Sequence, residues 1–470
     1  MGLLSLVLIV LVVLTAGYLL YGTLIARLYR LDDDTVTPAV ARNDGVDFVP
    51  TRPFYLMGQH FSAIAAAGPI VGPVAACMAF GWGPCVLWIL LGVIFIGAVH
   101  DFSALVASVR HGAHSIAEIA RQHLGRRAYL ALAAFIWLAL LYVILAFTDV
   151  TAATFVGTSE EVAGLGGSFN KGGAVAAASM MYLAVALVMG FVQRFLKPPM
   201  WALTLVFVPA TLWVIWLGTR VSTLGVFNHD AFSWQCAILV YCFVASLLPM
   251  WTLQQPRGYL GGFVLYLALA VGLVGIVIGG FKIEQPAFWE GLAGLGAFFG
   301  SGMMPAADGS ATAIKPTQLL FPFLFVTIAC GACSGFHGLV CGGTTSKQVA
   351  KESHCKPIAF GAMLLEGLVA VIALATVMVA KPESLAGKNP AVIYGDGIAA
   401  FLTTILGPEA RVFALTFGTM AVATFVFDTL DVSTRLGRYL LQELLGAKGR
   451  AAGVAAAALT AGVPLLVLWG

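Results

Sequence analysis

The feature that most constrains the fold of this chain is a series of apolar runs, each long enough to cross a lipid bilayer. A membrane-spanning helix needs about 20 apolar residues, and about twelve segments qualify. They lie approximately at 3–26, 61–80, 85–109, 129–157, 173–193, 200–218, 234–254, 258–281, 321–342, 358–380, 412–433 and 452–469. Charged residues make up 10% of the chain, against about 25% in soluble domains. The sequence therefore predicts an all-α polytopic membrane protein.

Two further features of the apolar pattern need their own interpretation. The run from Leu3 to Ile25 is longer than the apolar region of a signal peptide and follows no basic residue, so we expect a retained first helix. Residues 286–303 and 397–406 are the candidates for re-entrant or interfacial segments. Polar stretches are short throughout, which predicts a single transmembrane domain over residues 1–470.

The placement of basic residues predicts the orientation. Basic loops preferentially face the cytoplasm. If the loops after every odd-numbered predicted helix are cytoplasmic, they hold 18 of the 25 lysines and arginines. These are Arg27, Arg30, Arg42, Arg52, Arg110, Arg121, Arg126, Arg127, Arg194, Lys197, Arg257, Lys347, Lys351, Lys356, Arg435, Arg438, Lys448 and Arg450. We therefore predict that both termini lie outside.

Two of the predicted helices contain residues that break a helix. Gly68-Pro69-Ile70-Val71-Gly72-Pro73 places two prolines and two glycines within six residues, which removes backbone donors and loosens the helix. The stretch from Phe321 to Lys356 contains five glycines around His337 and continues into Thr344-Thr345-Ser346-Lys347. Irregular backbone at membrane depth is tolerated where protein buries it or where it lines a cavity. We predict discontinuous helices near Gly68–Pro73 and Cys333–Gly338, of the kind that hold the substrate in many transporters.

Ionisable residues lie inside several of the apolar runs. His100 and Asp101 are in the third predicted helix, Asp149 in the fourth, Glu366 in the tenth and Asp428 in the eleventh. Because charge is costly at membrane depth, such residues usually mark a transport pathway, a proton relay or a binding site. A structural hydrogen bond between helices is the alternative for each of them.

The spacing of these features indicates an inverted repeat. The two predicted breaks are 265 residues apart, as are Asp101 and Glu366, and Asp149 and Asp428 are 279 apart. The predicted topology puts an odd number of spans between the partners, so each pair runs in opposite directions through the membrane.

The repeat predicts a division of the chain. The first helix at 3–26 precedes a first half at about 61–218, two intervening helices occupy 234–281, and the second half covers about 321–470. The second half is short for such a repeat, which leaves open whether it is complete.

Eight stretches between about residue 50 and residue 445 form an ordered set of motifs. They are His60–Val74, Gly97–Phe102, Leu248–Leu260, Leu320–Phe325, Ser334–His337, Gly343–Gln348, Gly361–Gly367 and Phe427–Arg435. This set resembles the carbon starvation protein A (CstA) family of bacterial transporters. The resemblance implies an inner-membrane carrier of the amino acid–polyamine–organocation superfamily, built on inverted five-helix repeats. It also implies uptake of peptides or pyruvate, coupled to protons, although many members continue through additional C-terminal helices.

A small carboxylate substrate, such as pyruvate or the C-terminus of a peptide, needs hydrogen-bond donors in a pocket that excludes water. The N–H groups at the start of a half-helix supply such donors together with the positive end of the helix dipole. Hydroxyl and imidazole groups beside the breaks add side-chain donors. The predicted substrate-binding residues are His60, Gly68, Pro69, Gly72, Pro73, Ser334, Gly335, His337, Gly338, Thr344, Thr345 and Ser346.

Proton coupling needs a group that gains and loses a proton as access alternates between the two sides. Asp101 and Glu366 fit this role best, and Asp149 and Asp428 are further candidates. His100 is a second choice, with His337, because histidine titrates near neutral pH. Sodium coupling stays open, since loosened carbonyls and hydroxyls also suit sodium. We expect no other cofactor and no nucleic-acid partner. The expected partners are the small-molecule substrate and the lipid bilayer, and the oligomeric state is left open.

A membrane-embedded metal or redox enzyme is the rival class. Cys330, Cys333, His337 and Cys341 fall on one helical stripe and are ligand types that zinc uses. One straight helix cannot wrap four ligands around a single ion, so we predict close helix packing and no metal site. The sequence contains no P-loop, nucleophile elbow or His-Glu-x-x-His motif, which argues against an ATP-driven pump and a hydrolase. Single acids on separate helices favour alternating access over a channel.

Overall fold

The computed structural model describes residues 2–44, 48–65, 67–157, 159–161, 168–222, 227, 229–288, 303–305, 311–313, 319–447 and 449–469. The segment predicted to be re-entrant at 286–303 lies almost wholly outside these residues, as does Lys448. The described residues are almost all helical, and two short antiparallel hairpins are the exceptions. The hairpins pair β1 (Ser159–Glu161) with β2 (Ser168–Asn170) and β3 (Met303–Pro305) with β4 (Ala311–Ala313).

The long helices follow the apolar runs of the sequence. In chain order they are α1 (Leu3–Leu28), α2 (Pro53–Ile64), α3 (Gly68–Phe80), α4 (Trp82–Arg110), α5 (Ile116–Leu124), α6 (Arg126–Phe155), α7 (Lys171–Phe195), α8 (Met200–Val221), α9 (Ala231–Leu247), α10 (Gln254–Gly279), α11 (Gly335–Gly343), α12 (Glu352–Met378), α13 (Pro390–Leu406), α14 (Arg411–Leu445) and α15 (Arg450–Trp469).

Shorter helical turns lie between and within these helices. A single α turn covers Pro38–Arg42, and the pieces Leu320–Leu324, Phe325–Thr327 and Ala329–Ala332 lead into α11. Wider π turns interrupt three long helices at Gly17–Tyr21, Val93–Gly97 and Lys356–Gly361. Tighter 3₁₀ turns cover Thr345–Lys347, Glu352–His354, Pro382–Ser384 and Pro408–Ala410.

The described part of the chain contains nine helices long and apolar enough to cross a membrane, and a tenth if α2 and α3 form one bent span. A multi-pass membrane protein is therefore the observed architecture, and the count of about twelve spans is not reached. The difference has physical causes. The helix predicted at 234–254 is the 17-residue α9, and the run predicted at 321–342 is broken into short pieces. The run at 397–406 is the second half of the regular helix α13.

The helices form a centre and a periphery. In the most apolar stretch of α12, 89% of residues are buried inside the protein, against 22% for α6 and 33% for α1. Since exposed apolar side chains suit lipid, α1 and α6 have the composition of outer helices. Helix α12 packs against α3, and α14 packs against α6 and α13.

The first broken helix bends earlier than the sequence predicted. Helix α2 ends at Ile64, α3 begins at Gly68, and the two axes differ by 46°. The predicted break motif, Gly68–Pro73, instead forms the first turns of α3. Proline is tolerated in a first turn because that N–H has no helical partner, so Pro69 starts the new helix and Pro73 lies within it.

The second broken helix opens where the glycine pattern predicted. Cys333 and Ser334 are both extended, with φ of −163° and −110°, between Ala329–Ala332 and α11. The two broken helices pack against each other half by half. Helix α3 contacts Ala329–Ala332, and α2 contacts α11. The first half of each broken helix therefore faces the second half of the other.

Two glycines make this close crossing possible. A Cβ on Gly68 would overlap the side chain of Cys330, and a Cβ on Gly72 would overlap the carbonyl oxygen of Thr327. Small residues of this kind let helix backbones approach closely in membranes. Both glycines are therefore required by packing at the crossing.

Two of the basic residues that the sequence assigned to loops are buried inside helices. Arg257 lies in the first turn of α10 and Arg435 in the middle of α14. Neither contributes to the positive charge of a loop. The assignment of Arg257 to a loop was wrong, because the short α9 ends at Leu247 and α10 already begins at Gln254.

Candidate functional site

The break before α11 brings a histidine into the centre of the protein. Ser334 occupies the position just before the helix, and His337 follows within the first turn. The His337 backbone N–H donates to the Ser334 carbonyl at 3.2 Å, and its side chain is fully buried. The helix start therefore fixes where the imidazole lies.

His337 lies between two carboxylates that come from other helices. Its Nδ1 is 2.8 Å from Oδ2 of Asp101 on α4, and its Nε2 is 3.1 Å from Oε2 of Glu366 on α12. All three side chains have no exposed surface. His100, which is partly exposed, places its Nδ1 2.8 Å from the other Asp101 oxygen. We call Asp101, His337 and Glu366 the histidine cluster.

The histidine cluster is not saturated with hydrogen bonds. Although His337 Nε2 lies 3.1 Å from Glu366, Nε2 and both Glu366 carboxylate oxygens lack a hydrogen-bond partner among the described residues. Leaving a buried polar group in this state costs about 1–3 kcal/mol. Such groups in a native protein call for an explanation, such as a bound water, an ion or a functional role. A mobile proton shared by imidazole and carboxylate would supply one.

A second histidine connects the first broken helix to the cluster. His60 on α2 is buried, and its Nδ1 is 2.9 Å from the Thr345 hydroxyl that follows α11. Its Nε2 is 4.0 Å from Sγ of Cys341, which donates to the Asp101 carbonyl oxygen at 3.5 Å. His60 and Asp101 are therefore joined through one cysteine.

A small polar cavity lies beside His60 and Thr345. Its volume is about 50 Å³, enough for a few water molecules, since one needs about 10–15 Å³. Both broken-helix regions, α10 and α14 contribute to its walls. The polar lining residues are Gln59, His60, Gln254, Gln255, Thr344, Thr345, Gln348 and Asp428.

Asp428 connects this cavity to a second buried charge group, which we call the arginine network. The network consists of Arg257 on α10 with Asp428 and Asp431 on α14. Arg257 Nη1 donates to Asp431 and to the Tyr241 hydroxyl at 2.5 Å, and Arg257 Nε is 3.5 Å from Asp428. The Ser62 hydroxyl donates to Asp428. Arg257 was not among the functional residues predicted from the sequence, although its early position in an apolar helix and the two acids of α14 were a usable signal.

The remaining predicted coupling residue lies apart from both groups. Asp149 on α6 is exposed and accepts a hydrogen bond from Gln235 at 2.9 Å. Its proposed repeat partner, Asp428, belongs to the arginine network. The structure therefore does not bring Asp149 together with the histidine cluster.

The predicted hydroxyl donors divide into two kinds. Thr345 reaches across to His60, whereas Thr344 and Ser346 donate to carbonyl oxygens of their own segment, those of Val340 and Gly342. A Cβ on Gly338 would meet Ile116 at 2.9 Å, so this glycine lies in a packing contact. Gly335 has free space beside it. Thr345 is thus the hydroxyl that links the two broken helices.

The cysteine stripe does not converge on one point. Within the described ranges, the group with metal-ligand spacing is Cys330, His337 and Glu366, whose ligand atoms lie within 4.8 Å of one another. Cys333 and Cys341 are outside that group, and Cys341 instead donates to a backbone carbonyl. The four-residue metal site of the rival interpretation is therefore not formed, and a three-residue grouping is compatible with a metal by spacing alone.

Comparison with known proteins gives matches along the whole chain. The family model described as carbon starvation protein CstA matches residues 2–395 and 382–470. The peptide transporter CstA of Helicobacter pylori strain J99 is 31% identical over 497 residues, which cover 92% of this chain and 66% of the relative. The pyruvate/proton symporter BtsT of Escherichia coli K12 is 31% identical over 511 residues, with the same two coverages.

A third relative is somewhat more similar. The peptide transporter CstA of Bacillus subtilis strain 168 is 33% identical over 483 residues, covering 92% of this chain and 73% of the relative. The chain spans 66% of the length of the first two relatives. Peptide transport and pyruvate/proton symport are the activities for which these relatives are named, and they belong to those proteins.

Proposed function

Because the chain belongs to the carbon starvation protein CstA family, we propose that it is a secondary active transporter of small carboxylate-bearing nutrients. The solutes are peptides or pyruvate, and import is coupled to protons across a bacterial inner membrane. Relatives named for peptide transport and for pyruvate/proton symport support both solute classes. Each solute offers a carboxylate, so one kind of site serves either.

The observation that carries the proposal is the position of His337 between Asp101 and Glu366. An imidazole with a carboxylate on each side can hold a proton at either nitrogen or pass it on, and histidine in water titrates near pH 6.5. Ionisable groups at membrane depth mark proton relays. The cluster also joins α4, α12 and the first turn of α11, so a change in its charge bears on how these three helices pack.

The substrate site in this proposal is the region between the two breaks. The first turn of α11 directs backbone N–H groups and the positive end of its dipole toward the break at Ser334, which favours an anion. His60 and Thr345 border the small cavity at the other end of α11, and His60 approaches the histidine cluster through Cys341. Substrate would therefore lie near the histidine cluster, which allows proton and solute to influence each other.

The finer architecture is also part of the proposal. The crossed halves of the two broken helices support an inverted repeat, because inverted partners meet in opposite directions. We retain about twelve spans, both termini outside and halves at about 61–218 and 321–470 as proposals. A cysteine-scanning experiment with membrane-impermeant labels on each side would test the orientation. If the cysteine of Arg27→Cys reacted with a label added outside, the predicted orientation would be contradicted.

Uptake into proteoliposomes tests the function. We expect labelled pyruvate or dialanine to accumulate when an inward proton gradient is imposed. A sodium gradient of equal size serves as the control for the coupling ion. Accumulation with a sodium gradient alone would show that sodium, and not the proton, is the coupling ion. Flux without accumulation under either gradient would indicate a channel.

A further inference from the structure

Arg257 is a permanent positive charge enclosed at the centre of the fold. Its side chain has no exposed surface, and a guanidinium stays protonated at any pH that proteins meet. It carries five N–H donors and no acceptor. A buried charge of this kind is costly unless its donors are paired or serve a ligand.

One end of the guanidinium is firmly held. Nη1 donates to Asp431 and to the Tyr241 hydroxyl. The guanidinium carbon also lies 5.1 Å from the centre of the Phe427 ring and 5.6 Å from that of Tyr241, within the range of cation–π attraction. These contacts fix the plane of the group.

The opposite edge is not occupied in the same way. Nε and Nη2 have no hydrogen-bond partner in the part of the chain that the structure describes. Oδ1 of Asp428 is 3.5 Å from Nε, which is long for a hydrogen bond. The other Asp428 oxygen accepts from Ser62 instead. Two adjacent N–H groups of arginine form the fork that binds a carboxylate in bidentate fashion.

This edge is close to the polar cavity. Asp428 lines the cavity together with His60, Thr345 and Gly258, the residue that follows Arg257. Gly258 has no side chain, and a Cβ there would come 3.8 Å from Asp428. Asp428 is thus the group that separates the cavity from the arginine fork.

The geometry points to Arg257 as the residue that binds the carboxylate of the transported solute through Nε and Nη2, with Asp428 turning away as the solute enters. This inference rests on the proposed transport function and names the chemistry that the site selects. The charges of Asp431 and Arg257 balance each other. The incoming carboxylate therefore occupies the position beside Arg257 that the Asp428 carboxylate leaves. Solutes with a free carboxylate are accepted, and their amides or esters are rejected.

The test compares carboxylates with their amides on the full chain in proteoliposomes. Pyruvate and pyruvamide, or dialanine and dialanine amide, compete with labelled pyruvate, and the ratio of inhibition constants measures carboxylate selectivity. Arg257→Lys keeps the charge but removes the fork, so we expect the ratio to fall about tenfold, the equivalent of one charge-assisted hydrogen bond. Asp428→Asn removes the internal competitor, so pyruvate should bind more tightly while pyruvamide is unaffected.

Arg435→Lys is the matched control. Arg435 is also a buried arginine, but its Nη2 donates to the backbone carbonyls of Ala245 and Leu248, so the selectivity ratio should stay native. If Arg257→Lys does not insert as folded protein, Asp428→Asn decides alone. Uptake with a native ratio in Arg257→Lys, or unchanged pyruvate affinity in Asp428→Asn, would overturn the role of Arg257. Absence of uptake by the native chain would overturn the proposed function, and this inference with it.

Discussion

The histidine cluster and the arginine network differ in the kind of cation they contain. The histidine cluster places an imidazole, that of His337, between two carboxylates, whereas the arginine network places a guanidinium, that of Arg257, beside two. An imidazole changes charge near neutral pH, and a guanidinium does not. The first arrangement suits the binding and release of a proton, and the second suits a permanent anion-binding site.

One helix connects the two groups. His60 and Ser62 are two residues apart on α2. Ser62 donates to Asp428, and His60 reaches the backbone carbonyl of Asp101 through Cys341. A shift of this helix end would disturb both groups at once. In the proposed mechanism, proton and solute would therefore be coupled through α2 without sharing one residue.

The largest expected effect is on the arginine network. Arg257→Leu leaves two buried aspartates without their cation, and breaking a buried ion pair costs about 3–5 kcal/mol. Thermal unfolding of the detergent-solubilised protein measures the loss. Arg27→Leu, at an exposed position near the end of α1, should change stability by no more than about 0.5 kcal/mol. Equal losses in both variants would remove the distinction between Arg257 and an ordinary surface arginine.

The next effect concerns the bond that ties Asp428 to α2. Ser62→Ala removes a donor to a carboxylate, and hydrogen bonds to charged groups contribute about 1.5–3 kcal/mol. Unfolding midpoints and pyruvate affinity would both be measured. We expect lower stability with altered affinity, since Asp428 would then lean toward Arg257. Native values for both quantities would show that Ser62 does not position Asp428.

A smaller loss is expected where the broken helices cross. Gly68→Ala places a methyl group on the Cys330 side chain, and overpacking of this kind costs about 1–3 kcal/mol. Gly335→Ala is the matched control, because nothing lies within 4 Å of its Cβ position. Adding Cys330→Gly to Gly68→Ala should restore part of the stability. A stable Gly68→Ala single variant would argue against the tight crossing.

The smallest effect tests the link between His60 and Thr345. Thr345→Val keeps the shape and removes the hydroxyl, and an ordinary hydrogen bond contributes about 0.5–1.5 kcal/mol. The loss should be smaller than that of Ser62→Ala, because no carboxylate is left without a donor. If Thr345→Val lowered the unfolding midpoint more than Ser62→Ala, the contact between Thr345 and His60 would be the stronger of the two polar contacts.

The sequence allowed the parts of the histidine cluster to be named but not its contacts. Equal intervals singled out Asp101 and Glu366, and the glycine pattern placed a break beside His337. The structure adds that all three side chains meet. A break predicted at Gly68–Pro73 fell one turn too late, because proline at the start of a helix disrupts nothing.

Other features could not be predicted from the sequence. Hydropathy assigned Arg257 to a loop, since a lone arginine beside an apolar run usually marks its end, and the pairing with α14 is a tertiary contact. The count of about twelve spans assumed continuous helices. Among the described residues, the broken run at 321–342 and the 17-residue α9 fall short of the nine long apolar helices, so the count is not confirmed.

The most direct test of the central claim separates coupling from solute binding. In proteoliposomes, Glu366→Gln and Asp101→Asn should still exchange labelled for unlabelled pyruvate at equal pH but lose accumulation driven by a proton gradient. Asp149→Asn, which changes an acid outside the cluster, should keep both. Proton-driven accumulation that survives in Glu366→Gln and Asp101→Asn, measured together with native exchange, would contradict the assignment of coupling to the histidine cluster.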